Sequence, residues 1–370
     1  MRTGVAALVL CGGLVGPVAG GQLALLAKPF GGVVGTPGAA IGYLAVSAFV
    51  LGCLTAAIRA TRSMRVAGAC GVIAGLAFAV AGLVSTTWMF TAAVLIAGAA
   101  AGPVFATGRV LALSGSARLL TGWHVVIVLG VVIAAGVASI CERTPGTGLL
   151  AVGLVGAACG AAAVSAREDS GGAWGKRRSA KGWSVLVPVR RAVLGYGALG
   201  LLVGGTVLPA LHLLLFRWNA VGSEQTILLV FAALPAVVAV ALPAPDSSAI
   251  VPLLILAAGG PVLVATAPGE LTLVVGLAVS LAAAARAARG LDAEIHASAA
   301  PSESAATATV LIAAAAALAG LGLVSGVGRL AGTGSGLVVL AGVSLICALL
   351  CGRLALRVVT AEPIFQGGTQ

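Results

Sequence analysis

Between residues 167 and 183 the chain reads REDSGGAWGKRRSAKGW, and basic residues follow again at Arg190 and Arg191. This is the longest polar stretch of the 370 residues, and on either side of it the sequence is almost continuously apolar. Working outward, residues 1–166 and 193–357 form two blocks of nearly equal length. Short charged, proline-rich or glycine-rich breaks cut each block into runs of about twenty residues, the length a helix needs to cross a hydrocarbon core of about 30 Å. The runs fall at 5–26, 37–58, 66–84, 88–109, 120–140 and 147–166 in the first block. In the second they fall at 193–216, 226–243, 249–267, 271–289, 305–327 and 335–356. The pattern predicts an all-α integral membrane protein of twelve transmembrane helices in two six-helix bundles. Its parts are an N-terminal bundle (1–166), a basic linker (167–192), a C-terminal bundle (193–357) and a tail (358–370).

Composition supports a lipid solvent. The chain is 60% hydrophobic and 8% charged, with a mean hydropathy of +1.16 and 54 glycines. Its 21 Lys and Arg and 10 Asp and Glu are too few to cover the surface of a soluble protein of this length. The first run, opened by Met1, Arg2 and Thr3, resembles a secretion signal only in outline. It continues to Leu26 without a small-x-small cleavage site, so a first membrane helix is expected.

The net charge of +11 does not point to nucleic acid, because the basic residues lie between apolar runs rather than on one soluble face. Seven cysteines without a CxxC pair read as small apolar filler, not as a metal site or disulfide framework. The motifs GxxxxGK[ST], HExxH and GxSxG are absent, so neither ATP hydrolysis, nor a cofactor, nor an enzymatic activity is expected.

Positively charged loops stay on the cytoplasmic side of a membrane. With the N-terminus inside, the inner segments carry Arg2, Arg59, Arg62, Arg65, Arg109, Arg118, the linker residues Arg167 to Arg191, Arg286, Arg289, Arg353 and Arg357. Only Lys28, Arg143, Arg217 and Arg329 fall outside. The asymmetry predicts a multi-pass protein of the cell (inner) membrane with both termini cytoplasmic.

The segment GTPGAAIGYLAVSAFVLGCLTAAIRATRSMRVAG, Gly35 to Gly68, resembles the second helix and following turn of the major facilitator superfamily. That turn reads roughly G-x-x-x-D-R-x-G-R. Here Arg62 and Arg65 take the basic positions, while Ala57, Thr61 and Met64 replace the first glycine, the aspartate and the second glycine. The resemblance implies a duplicated six-helix unit rocking about a midplane site. It also implies a cytoplasmic gate at Arg59, Arg62 and Arg65, a role that orientation alone would equally explain. The helix-4 arginine and helix-5 glycine-proline run of drug exporters are not kept. Val94 stands at the first, and Ala134 and Ala135 follow Gly130 in the second. A GPVAGG string occurs instead in the first span, at Gly16 to Gly21, where a kink or packing role is expected.

All ten acids read as lying in loops, linker or tail, and Arg289 to Glu303 as a solvated connection. No buried carboxylate relay is therefore expected, although such groups mark ion-coupled transport. The remaining candidates for contact with a solute are Gln22, Tyr43, Trp123, His124, Tyr196 and His212. The histidines are titratable near neutral pH and could donate to a solute or carry a proton, although a structural hydrogen bond to a neighbouring carbonyl or serine is the readier reading of each. Gln22 and Tyr196 gain weight from the resemblance, which places the first and seventh helices at the cavity, while Tyr196, close to the inner boundary, reads equally as an interfacial anchor. Arg109 and Arg286 close corresponding helices of the two blocks, either snorkelling to the interface or drawing an anionic solute inward. The expected function is a secondary transporter of a small hydrophobic or amphipathic solute, acting in efflux, with solute and lipid as its partners. The competing reading is a non-transporting scaffold of the same fold that serves a protein partner.

Overall fold

The computed structural model of the chain describes residues 2–58, 63–166, 183–218, 223–298 and 302–361. Among these there is no strand. The first span is α1 (Arg2–Gly13), a π-helical turn (Leu14–Val18) and α2 (Ala19–Leu25), followed by a short α3 (Ala27–Val34). Then come α4 (Gly38–Ile58), α5 (Met64–Leu83), α6 (Thr87–Ser114), α7 (Ala117–Ile140) and α8 (Pro145–Ser165). The second block holds α9 (Trp183–Trp218), α10 (Ser223–Ala241), a 3-10 turn (Ser247–Ala249), α11 (Ile250–Thr266), α12 (Glu270–Ala297), α13 (Ser302–Ala331) and α14 (Thr333–Ala361).

Each of the twelve expected spans is therefore a helix. Among the described residues ten are long and apolar enough to cross a membrane, and α10 contributes the shorter apolar stretch Ile227–Ala241. The helix starts and stops have local causes. The Ser63 and Ser116 hydroxyls accept the Val66 and Leu119 amides at the heads of α5 and α7, and Pro145 opens α8. Gly35, at φ +72°, ends α3 in the left-handed region that favours glycine.

The boundaries depart from expectation where charge was read as exposure. The seventh helix begins at Trp183, before the expected start at 193. The tenth runs on to Ala297, so residues 290–297 are helix and not part of a solvated connection. Leu291 and Ile295 continue its buried stripe at helical spacing, and Arg289 and Asp292 are buried with them.

By its contacts the chain divides into two compact units, one of Met1–Lys176 with Leu214–Val237, the other of Arg177–Leu213 with Val238–Gln370. Within each, small residues let backbones meet, which is how helices associate where lipid removes the hydrophobic drive. In the first unit α5 and α8 are so close that a Cβ on Gly75 would stand 2.4 Å from the Ala157 amide nitrogen. The first span packs on α7 through Gly13 with Val126, Pro17 with Gly130, and Gly21 with Ala134, a constant offset of 113 positions. In the second unit α9 meets α13 through Gly200 with Ala313 and Gly204 with Ala317, the same offset of 113. First and fifth helices thus pack in one register in both blocks, as a duplicated unit requires.

Candidate functional site

The first span is interrupted twice. At the π-turn the Ala19 amide reaches back to the Leu14 carbonyl, five residues away. Pro17 lies inside this turn and has no N–H to close an ordinary α-turn. The second break is Leu26, at φ −99° and ψ 21°, between α2 and α3. Beyond it Phe30 is buried against the ring of Phe90, with centroids 5.4 Å apart.

Around the π-turn the first unit brings two aromatic side chains together. Phe105 of α6 and Trp123 of α7 meet edge to face, with centroids 4.8 Å apart at 65°. They lie over a bare face of the first span. A Cβ on Gly12 would be 3.6 Å from the Trp123 ring, and one on Gly16 would be 3.6 Å from Phe105. Gly108 makes room for the same indole, which a Cβ there would approach to 2.9 Å. Arg109, which follows Gly108, and His124, which follows Trp123, are both buried. Charged and titratable side chains at membrane depth are costly and are kept for a reason.

Gln22 sits apart from that group, at the last turn of α2. It is fully buried, and neither atom of its amide has a hydrogen-bond partner. Its Oε1, Val137 Cγ1 and Cys141 Sγ line the notch left by the missing side chain of Gly148. They stand 3.1, 3.0 and 3.2 Å from where a Cβ there would be.

The second unit carries a polar cluster that the sequence reading did not assemble. The Arg191 guanidinium, at the head of the buried part of α9, pairs with Glu294 of α12. It also donates to the Ser247 hydroxyl (2.7 Å) and the Ser247 carbonyl (2.8 Å). Cys351 of α14 donates to the Arg191 carbonyl at 3.6 Å. Arg286 donates to the Ala239 carbonyl at 3.0 Å, and Arg289 donates to the carbonyls of Val240 and Leu242. These two arginines supply the donors that the end of α10 lacks, where Pro243 and Pro245 cannot provide an amide. Asp292 is fully buried, so the expectation that every acid lies in a loop, linker or tail is corrected here.

The remaining candidates are dispersed. Tyr196 is buried and donates to the Ala288 carbonyl at 3.3 Å, whereas Tyr43 is 72% exposed and Arg65 is exposed. The side chain of His212 and residues Arg59 and Arg62 lie outside the described residues. Trp123 is brought together with Phe105, which a lone aromatic in an apolar run gave no reason to single out. Among the described residues no group of three or more His, Cys, Asp or Glu side chains is placed to hold a metal ion.

This fold is that of the major facilitator transporters. The human organic anion transporter MFSD10 (TETRAN) superposes with a TM-score of 0.71 at 18% identity, over 94% of this chain and 97% of that one. The proton:xylose symporter XylE gives 0.68 at 13% identity, over 95% of each chain. The nucleoside transporter NupG gives 0.60 at 14%, over 95% of this chain and 99% of its own. No protein-family model matches the sequence, and a search of curated proteins by sequence finds no match.

Proposed function

We propose that the chain is a secondary transporter of the major facilitator type, moving a small hydrophobic or amphipathic solute by alternating access, in the direction of export. One observation carries the reading. Over 94–95% of its length the chain shares its fold with three transporters whose stated solutes differ, an organic anion, a sugar and a nucleoside. Such a fold supports transport without choosing the solute.

The chemistry of the first unit supports an apolar or amphipathic one. Its central side chains are an edge-to-face aromatic pair over a glycine face, with a few buried polar groups beside them. Solute sites of this kind are mostly apolar, with a few convergent polar groups that fix orientation. In this reading Gln22, Trp123, His124, Tyr196 and His212 contact the solute, with Tyr43 at the rim. Arg59, Arg62 and Arg65 act at the cytoplasmic gate, and Arg109 and Arg286 hold the inner ends of their helices. Both termini are cytoplasmic in a cell membrane, and the bundles are 1–166 and 193–357, joined by the basic linker.

The test is dye movement in proteoliposomes loaded with a panel of uncharged and amphipathic fluorescent solutes. Time-dependent loss of at least one solute, abolished in Trp123→Ala with folding intact, is the expected result. No movement of any solute by folded protein, together with a stoichiometric protein partner on purification, would establish the scaffold instead.

A further inference from the structure

The geometry points to α2 as a crank that delivers the Gln22 amide to an uncharged hydrogen-bonding group of the solute. The substrate class rests on the transporter reading, whereas the crank itself is read without transport. Three observations meet in this segment. It is a helix of only seven residues with an irregular joint at each end, the π-turn at Leu14–Val18 and the break at Leu26. The elements beyond the joints are anchored, α1 through Gly4 and Cys11 against α8, and α3 through Phe30 on Phe90. Between the anchors, α2 is held in the core by Ala19 and Leu23 on one side and presents small residues on the other. Gly21 lies on Ala134, a Cβ on Gly20 would meet nothing within 4 Å, and the Pro17 ring sits in the notch opposite Gly130.

The segment nevertheless holds a fully buried amide with no partner for either atom. Leaving a buried donor and acceptor unsatisfied is costly, more so than replacing them with an apolar group of similar shape. A position of α2 in which the amide gains a donor and an acceptor recovers that cost. A short helix jointed at both ends can reach one by turning about its axis. An amide offers one of each, uncharged, so its match in the solute is a neutral group with both functions, such as another amide. A carboxylate would leave the Gln22 carbonyl unpaired.

The native Cys141 reports on the crank, because its thiol lines the Gly148 notch together with the Gln22 amide. The experiment follows labelling of Cys141 by N-ethylmaleimide in full-length protein whose six other cysteines are alanine. Gln22→Leu is expected to slow labelling at least fivefold and to raise the melting temperature by about 2–4 °C. Pro17→Ala, which restores an N–H and closes the turn as α-helix, slows labelling similarly with the amide still present. Gln22→Asn keeps the parent rate within twofold.

Millimolar acetanilide, a neutral aromatic amide, protects Cys141 at least threefold in the parent and not in Gln22→Leu, and benzoate protects in neither. A fall in melting temperature for Gln22→Leu, or labelling within twofold of the parent in both Gln22→Leu and Pro17→Ala, overturns the crank. Protection by benzoate but not by acetanilide overturns the neutral class. Intact labelling behaviour without any dye movement would sink the transport reading alone.

Discussion

In the first unit the first span runs past α7 on glycines, with a π-turn in its middle and the unpartnered Gln22 amide near its end. In the second unit the corresponding first helix, α9, uses glycines in the same register against α13. It is also fixed at one end, where Arg191 joins Glu294 and the hydroxyl and carbonyl oxygens of Ser247. Glycine contact lets helices approach closely but makes no directional bond. An ion pair with hydrogen bonds at set angles tolerates one arrangement. The same duplicated architecture thus carries an adjustable helix in one block and a fastened helix in the other. The sites of motion and of anchorage should separate accordingly.

The largest effect expected is at the fastened end. Arg191→Ala leaves the largely buried Glu294 carboxylate without its partner and should cost about 2–4 kcal/mol. Unfolding of the purified protein in detergent reads this, and a loss under about 1 kcal/mol would remove the contrast between the units. Next is the glycine seam. Gly75→Ala pushes a methyl to 2.4–2.5 Å from the α8 backbone and should cost about 1–3 kcal/mol in the same assay.

Trp123→Phe keeps most of the apolar volume and should change stability by less than about 1.5 kcal/mol. It shortens the ring that rests on Gly12 and Gly108, so dye movement should fall about tenfold, a loss of roughly 1.4 kcal/mol. The smallest effect sharpens the comparison. Gly20→Ala meets open space and should be neutral or stabilising by up to about 1 kcal/mol, which separates the open side of α2 from the seam at Gly75.

The spans were legible because lipid imposes one rule over about twenty residues at a time, and no tertiary detail is needed to see it. The duplication was visible as span count and charge asymmetry. The register that carries it, Gly13 to Val126 and Gly200 to Ala313, required coordinates because small residues are too common here to mark a pair. The extension of α12 is hidden in the sequence because Arg289, Asp292 and Glu294 suggest a solvated connection. Ala287, Leu291 and Ile295 nonetheless keep helical spacing through those charges, and that signal was present in the sequence.

Trp123 and His124 stood out as rare polar-edged residues, yet Phe105, the ring Trp123 meets, carried no mark. Pro17 suggested a kink without disclosing a π-turn, which depends on which carbonyl the next amides reach. Gln22 was identifiable as a polar residue in an apolar helix. Its lack of a partner is a fact of packing alone.

The central claim is that the chain alternates its access. Cysteine accessibility from both membrane faces tests it most directly, at positions flanking Gln22 and His212 in an otherwise cysteine-free chain. The account predicts that labelling of these positions changes face when a transported solute or its gradient is imposed. Labelling fixed on one face under every condition, in protein that is folded and binds the solute, would contradict it.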